Sequence, residues 1–240
     1  MAHETECNDY SAAIGGGNNL PCGNIRIESG TVRAKCQLVY DKYGHVVGAM
    51  GAAAIGGGQN VSCGDITITG GSVSAFGGSG AGIGCSLYGS CGDITITGGT
   101  IKATSESNAA GIGGAENGTC GNITITGGDI TASTCSSYAP GIGSGFKGSC
   151  GNITITGGSF AQYTYEGKPT VGCEKGGSCG TISIAPDVID LVEVRDYTQI
   201  TTIRRPAAQD DVWYDMLGRR LFKKPTTPGL YIHNGKKVVQ

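Results

Sequence analysis

Cysteine is the most concentrated source of chemistry in this 240-residue sequence, with eleven residues. Six precede a glycine, at Cys22, Cys63, Cys91, Cys120, Cys150 and Cys179, at intervals of 41, 28, 29, 30 and 29 residues. Thiols held in one register could pair as disulfides or stack as a reduced, weakly polar ladder. The other five, Cys7, Cys36, Cys85, Cys135 and Cys173, fall outside that register, and an odd total leaves at least one cysteine unpaired. Zinc is not expected, because the Cys-Gly repeats lack the paired C-x₂-C ligands of structural zinc sites.

Two residues after each ladder cysteine stands Asn24, Asp65, Asp93, Asn122, Asn152 or Thr181. Asp65 and Asp93 would be neighbours able to share a Ca²⁺ ion or raise each other's pKa, and they are the metal candidates. Asn and Asp also suit a turn-to-strand junction, where their side chains bond nearby backbone. Histidine is confined to His3, His45 and His233, so chain order supports no Ser-His-Asp or Cys-His arrangement and no catalytic residue is assigned. Lys102, Glu106, Glu116, Lys147, Glu166, Glu174 and Lys175 sit in variable turns and read as solvated surface. The GIGGG fragments recur without a following helix or Lys-Ser/Thr, which excludes a nucleotide fingerprint. Exposed rings can stack on sugars. Tyr40, Tyr43 and His45 on an insertion, with Tyr88, Tyr138 and Phe146 in turns, are therefore the ligand-binding candidates. The same rings could instead cover the ends of a thin core.

The elements that must position these groups follow from the repeat. The block CGDITITGG occurs at Cys63 and Cys91 and CGNITITGG at Cys120 and Cys150, and the outer copies at Cys22 and Cys179 are degenerate, as terminal repeats are. Ile alternates with Thr at period two, which turns Ile66 and Ile68 inward and Thr67 and Thr69 outward. A second alternating piece aligns Val32, Val73, Ile101, Ile130 and Phe160 in one column and Ala34, Ala75, Ala103 and Ala132 in another. A third, AIG or GIG, carries Ile14, Ile55, Ile83, Ile112, Ile142 and Val171. Three short strands per repeat predict an all-β fold: a three-sided parallel β-helix, or β-solenoid, of about six coils with a small C-terminal β tail. Each strand would pair with its copy one coil on, about 4.8 Å away.

The expected organisation is an N-terminal cap over 1–11, the β-helix over 12–186 with an inserted hairpin at 35–50, an edge cap and linker over 187–209, and the β tail over 210–240. The 45 glycines serve the repeat, since no Gly-X-Y triplet runs through the chain. A net charge of −2 gives no basic footprint for nucleic acid. No run is long and apolar enough for membrane insertion, and the opening MAHETECNDY lacks a signal-peptide pattern.

The stacked short strands and Gly turns over 12–186 resemble the pectin-lyase-like right-handed β-helix family, whose architecture serves lyases, hydrolases, adhesins and passenger domains. The tail, through YDMLGRR at Tyr214 to Arg220 and PGLYIHNGKKVV at Pro228 to Val239, resembles type IX secretion sorting segments. That resemblance implies an extracellular or cell-surface protein of a Gram-negative bacterium. Lyases of the fold combine an acidic metal site with an Arg or Lys base, and the hydrolases cluster several Asp; neither constellation assembles here. The expectation is a non-catalytic, adhesin-like protein whose partner is a glycan or another host-surface ligand. A polysaccharide lyase or glycoside hydrolase is the alternative, and a structural spacer the third reading.

Overall fold

A computed structural model of the chain describes residues 2–7, 10–36, 38–40, 42, 46–49, 51–160, 170–173, 176–188, 193–195, 213–214, 220–221, 226, 230–233 and 236–239. It divides into two compact units, Met1–Ile203 and Arg204–Gln240.

The first unit is a parallel β-helix. One face stacks Ile25–Ile27, Ile66–Ile68, Ile94–Ile96, Ile123–Ile125, Ile153–Ile155 and Ile182–Ile184, so five turns separate the first of these strands from the last. The strands pair in parallel with like residues opposite: Ile66, Ile94, Ile123 and Ile153 align, as do Thr67, Thr95, Thr124 and Thr154. The period-two reading holds, since Ile66 and Ile68 are wholly buried while the Thr between them stays half-exposed.

The second face carries the longer strands Ala2–Cys7, Thr31–Cys36, Ser72–Gly77, Thr100–Ser105, Asp129–Thr134 and Ser159–Phe160. Its register sets Val32, Val73, Ile101, Ile130 and Phe160 in line, with Ala34, Ala75, Ala103 and Ala132 beside them. Residues 2–7, read from sequence as part of a cap, form the outermost strand of this sheet, aligned with Thr31–Cys36.

The third face stacks the two-residue strands Ile14–Gly15, Ile55–Gly56, Ile83–Gly84 and Ile112–Gly113, followed by Ile142–Ser144, Thr170–Cys173 and Glu193–Arg195. The glycines Gly56, Gly84, Gly113 and Gly143 have φ between 128° and 140°. A Cβ on Gly84 would lie 2.1 Å from the carbonyl oxygen of Gly113 in the next turn. Only glycine lets the backbone bend there while neighbouring turns keep their spacing. A short extra ladder joins Ser90–Cys91, Thr119–Cys120 and Ser149–Cys150 at a corner.

Leu38–Tyr40 and Val46–Ala49 pair antiparallel within the longer first repeat. Among the described residues no helix is long and apolar enough to cross a membrane. The second unit is a four-stranded antiparallel sheet in the order Arg220–Leu221, Trp213–Tyr214, Leu230–His233, Lys236–Val239.

Candidate functional site

Where the Ile-Gly strand runs toward the ladder cysteine, the chain reverses in a tight turn, and the third residue before that cysteine lies in the left-handed region. The positions are Asn19 (φ 57°), Asn60 (61°), Tyr88 (56°), Asn117 (52°) and Lys147 (52°), continued by Gly176 (91°). The first five of these turns are each closed by a backbone hydrogen bond, as from Val61 N–H to Gly58 O (3.3 Å) or Gly89 N–H to Ser86 O (3.1 Å). Asn and Gly tolerate this conformation; Tyr88 and Lys147 adopt it at a steric cost, because the turns are tied to one another. Asn60 N–H donates to Leu87 O (3.1 Å), Tyr88 N–H to Glu116 O (3.2 Å) and Asn117 N–H to Phe146 O (3.0 Å). The result is one edge of the β-helix along which side chains project at successive turns.

At one end of this edge Tyr10, Asn18, Asn19, Gln59 and Asn60 line an open cavity of about 340 Å³. Tyr10 is 45% exposed. Asn18 accepts from the Asn19 side-chain amide (2.9 Å), which orients both. Gln59 donates its backbone N–H to Tyr10 O (2.9 Å), tying the ring's segment to the next turn. A cavity walled by four amide side chains and a tyrosine offers paired donors and acceptors beside a flat apolar face. That combination suits the hydroxyls and C–H faces of a sugar ring.

Midway, Tyr88 is 60% exposed. Beyond it Tyr138, also exposed, meets half-buried Phe146 with ring centroids 5.5 Å apart, tilted by 59°. Lys147 Nζ lies 5.1 Å from the Phe146 ring centre, within cation–π range. A hydrogen-bonded chain positions this end: Ser136 Oγ donates to Asn108 Oδ1 (2.7 Å), and the Asn108 amide donates to Glu116 Oε2 (3.1 Å).

Of the ring candidates expected from sequence, Tyr88, Tyr138 and Phe146 thus fall on one edge. Tyr40 lies in the antiparallel pair Leu38–Tyr40, and Tyr43 and His45 lie outside the described residues. The sequence reading overlooked Tyr10, Asn18, Asn19, Gln59 and Asn60 and took Lys147 for solvated surface. A signal for them was present: the residue three before each ladder cysteine is Asn, Asn, Tyr, Asn, Lys and Gly, a left-handed series.

Asp65 and Asp93 serve the stack. Asn24 Oδ1 accepts from Asp65 N–H (2.9 Å), Asp65 Oδ1 from Asp93 N–H (2.9 Å), and Asp93 Oδ1 from Asn122 N–H (2.7 Å). Asn122 and Asn152 continue the pattern to Thr181. Each side chain caps a backbone amide that the slanted ladder leaves over, and Asn does this as well as Asp.

The cysteines divide differently from the sequence grouping. Cys7 and Cys36, outside the Cys-Gly register, face each other on adjacent strands as a disulfide, with Cα atoms 5.0 Å apart. The other nine form no disulfide. Buried Cys85, Cys91 and Cys120 bring their sulfurs within 4.8 Å of one another, which chain order did not disclose. Hydrogen bonds from Cys85 and then Cys91 pull the Cys120 thiol down to about 5. Burial, then the bond to Cys120, pushes the Cys85 thiol up.

Residues 66–87, 94–116 and 123–146 match the family described as beta helix repeat. No curated protein and no solved structure matches the chain. Three consecutive turns carry that repeat and the same three ladders continue on either side of them, which makes the chain a β-helix protein.

Proposed function

We propose that this protein is a non-catalytic, cell-surface or secreted β-helix that binds glycans along the left-handed turn edge. The observation that carries the reading is the alignment on one edge of the amide-walled cavity at Tyr10 with the exposed ring of Tyr88 and the Tyr138–Phe146–Lys147 group. Sugars are recognised by rings that cover their C–H faces and by amides that pair with hydroxyls, and side chains fixed on a stacked scaffold lose little entropy on binding. A linear chain of sites suits a linear polysaccharide, which would bind several turns at once. The Cys7–Cys36 disulfide is of the kind that persists in oxidising compartments, and it supports a surface or secreted location.

A broad glycan array, run with the full chain with and without Ca²⁺ and read for both retention and cleavage, tests this. Retention without new reducing or unsaturated ends is expected, unchanged by Ca²⁺. Cleavage would instead favour a lyase or hydrolase, and silence in both channels a structural spacer.

A further inference from the structure

The turn edge makes no use of the sulfur cluster inside the wall. The register that follows each Ile-Gly strand is occupied by Gly16, Gly57, Cys85, Gly114, Ser144 and Cys173, so Cys85 puts a thiol where most turns carry none. Its side chain is wholly buried, with Sγ 2.8 Å from Cys91 Sγ and 3.1 Å from the carbonyl oxygen of Thr119. Cys91 and Cys120 are register partners on adjacent turns, which brings the third sulfur in from the neighbouring rung. Three sulfurs therefore converge from two turns within 4.8 Å, inside a wall of Ile and Ala side chains.

We propose that Cys85, Cys91 and Cys120 form a buried three-sulfur site for Cu(I). Thiolate sulfur is a soft donor that selects thiophilic ions, while structural Zn²⁺ sites take four ligands in a tetrahedron. A three-coordinate sulfur set suits a monovalent d¹⁰ ion. Uptake involves no electron transfer: Cu⁺ forms bonds to the sulfurs as thiolates, and the thiol protons that binding displaces leave to solvent. Entry is from the corner, where Cys91 keeps 7% exposure. Burial also limits access of thiols and disulfides from solution, so the cluster can stay reduced while Cys7 and Cys36 are bridged.

The test is competition for Cu(I) against a coloured bathocuproine disulfonate complex, using the full chain purified anaerobically. Cys85→Ser is compatible with the fold, since Ser144 holds the same register one repeat past Gly114, and Cys120→Ala provides an independent second removal. Wild type should withdraw one equivalent that both variants lose and that Cys135→Ser and Cys173→Ser keep, with X-ray absorption showing sulfur neighbours only. Any of three results would overturn the proposal: no equivalent withdrawn by wild type, an equivalent retained by Cys85→Ser, or peptide mapping that finds Cys85 bonded to Cys91 in the protein as isolated.

Discussion

Cys135 is the one exposed thiol among the nine cysteines outside the disulfide. Partial burial, and then the nearby Glu106 carboxylate, raise its pKa, so its alkylation should quicken as pH rises above neutral. Cys22, half-buried, is pushed up to about 11, by burial first and by Cys63 second, and should stay inert under the same conditions. Iodoacetamide on the native protein, followed by mass spectrometry, is therefore expected to label Cys135 first and the other eight thiols only on unfolding. Rapid labelling of a second site would mean that the sulfur ladder opens. What the sequence disclosed at this scale was the ladder itself, because a fixed Cys-Gly interval survives any reading. The Cys85 cluster was hidden because it is built between turns: the C-x₅-C spacing of CSLYGSC sets two sulfurs, and the third lies 29 residues on.

At the scale of the strand and turn, two columns make opposite demands on their residues. The Ile-Gly column admits no Cβ: Gly84→Ala would combine a φ of 136° with the 2.1 Å approach to the Gly113 carbonyl oxygen. A loss of about 3 kcal/mol is expected, read as a lower urea midpoint. Wild-type stability for that variant would show that the turns are not held at this spacing. In the Asn/Asp column the role of Asp93 is the Oδ1 acceptor, so Asp93→Asn should be nearly neutral and Asp93→Ala should cost about 1 kcal/mol. Equal costs for the two would point instead to a need for the carboxylate charge, as a bound Ca²⁺ would impose. The strands themselves were legible because Ile and Thr alternate, and because Val73, Ile101 and Ile130 hold one register. The strand Ala2–Cys7 was not, since its AHETEC shows no apolar alternation and its place is fixed by partners at Thr31–Cys36. The left-handed turn column was half-visible: Asn19, Asn60 and Asn117 announce it, while Tyr88 and Lys147 follow only because the neighbouring turns impose the geometry.

Across the whole molecule, the β-helix unit devotes its interior to ladders and leaves individuality to the turns, as solenoids do when each repeat touches only its neighbours. Repetition makes the scaffold readable from sequence and makes the function hard to read, because the informative residues are those that break the repeat. A site distributed along several turns should weaken by steps: losing the Tyr88 ring is expected to cost about tenfold in affinity, or about 1.4 kcal/mol. The most direct measurement is affinity for whichever glycan the array retains, compared between wild type and a Tyr10→Ala/Tyr88→Ala double variant with an unchanged melting temperature. The edge site predicts at least an additive loss, about a hundredfold, from removing two separate ring contacts. Undiminished affinity in the folded double variant would contradict it and move recognition away from the left-handed turns.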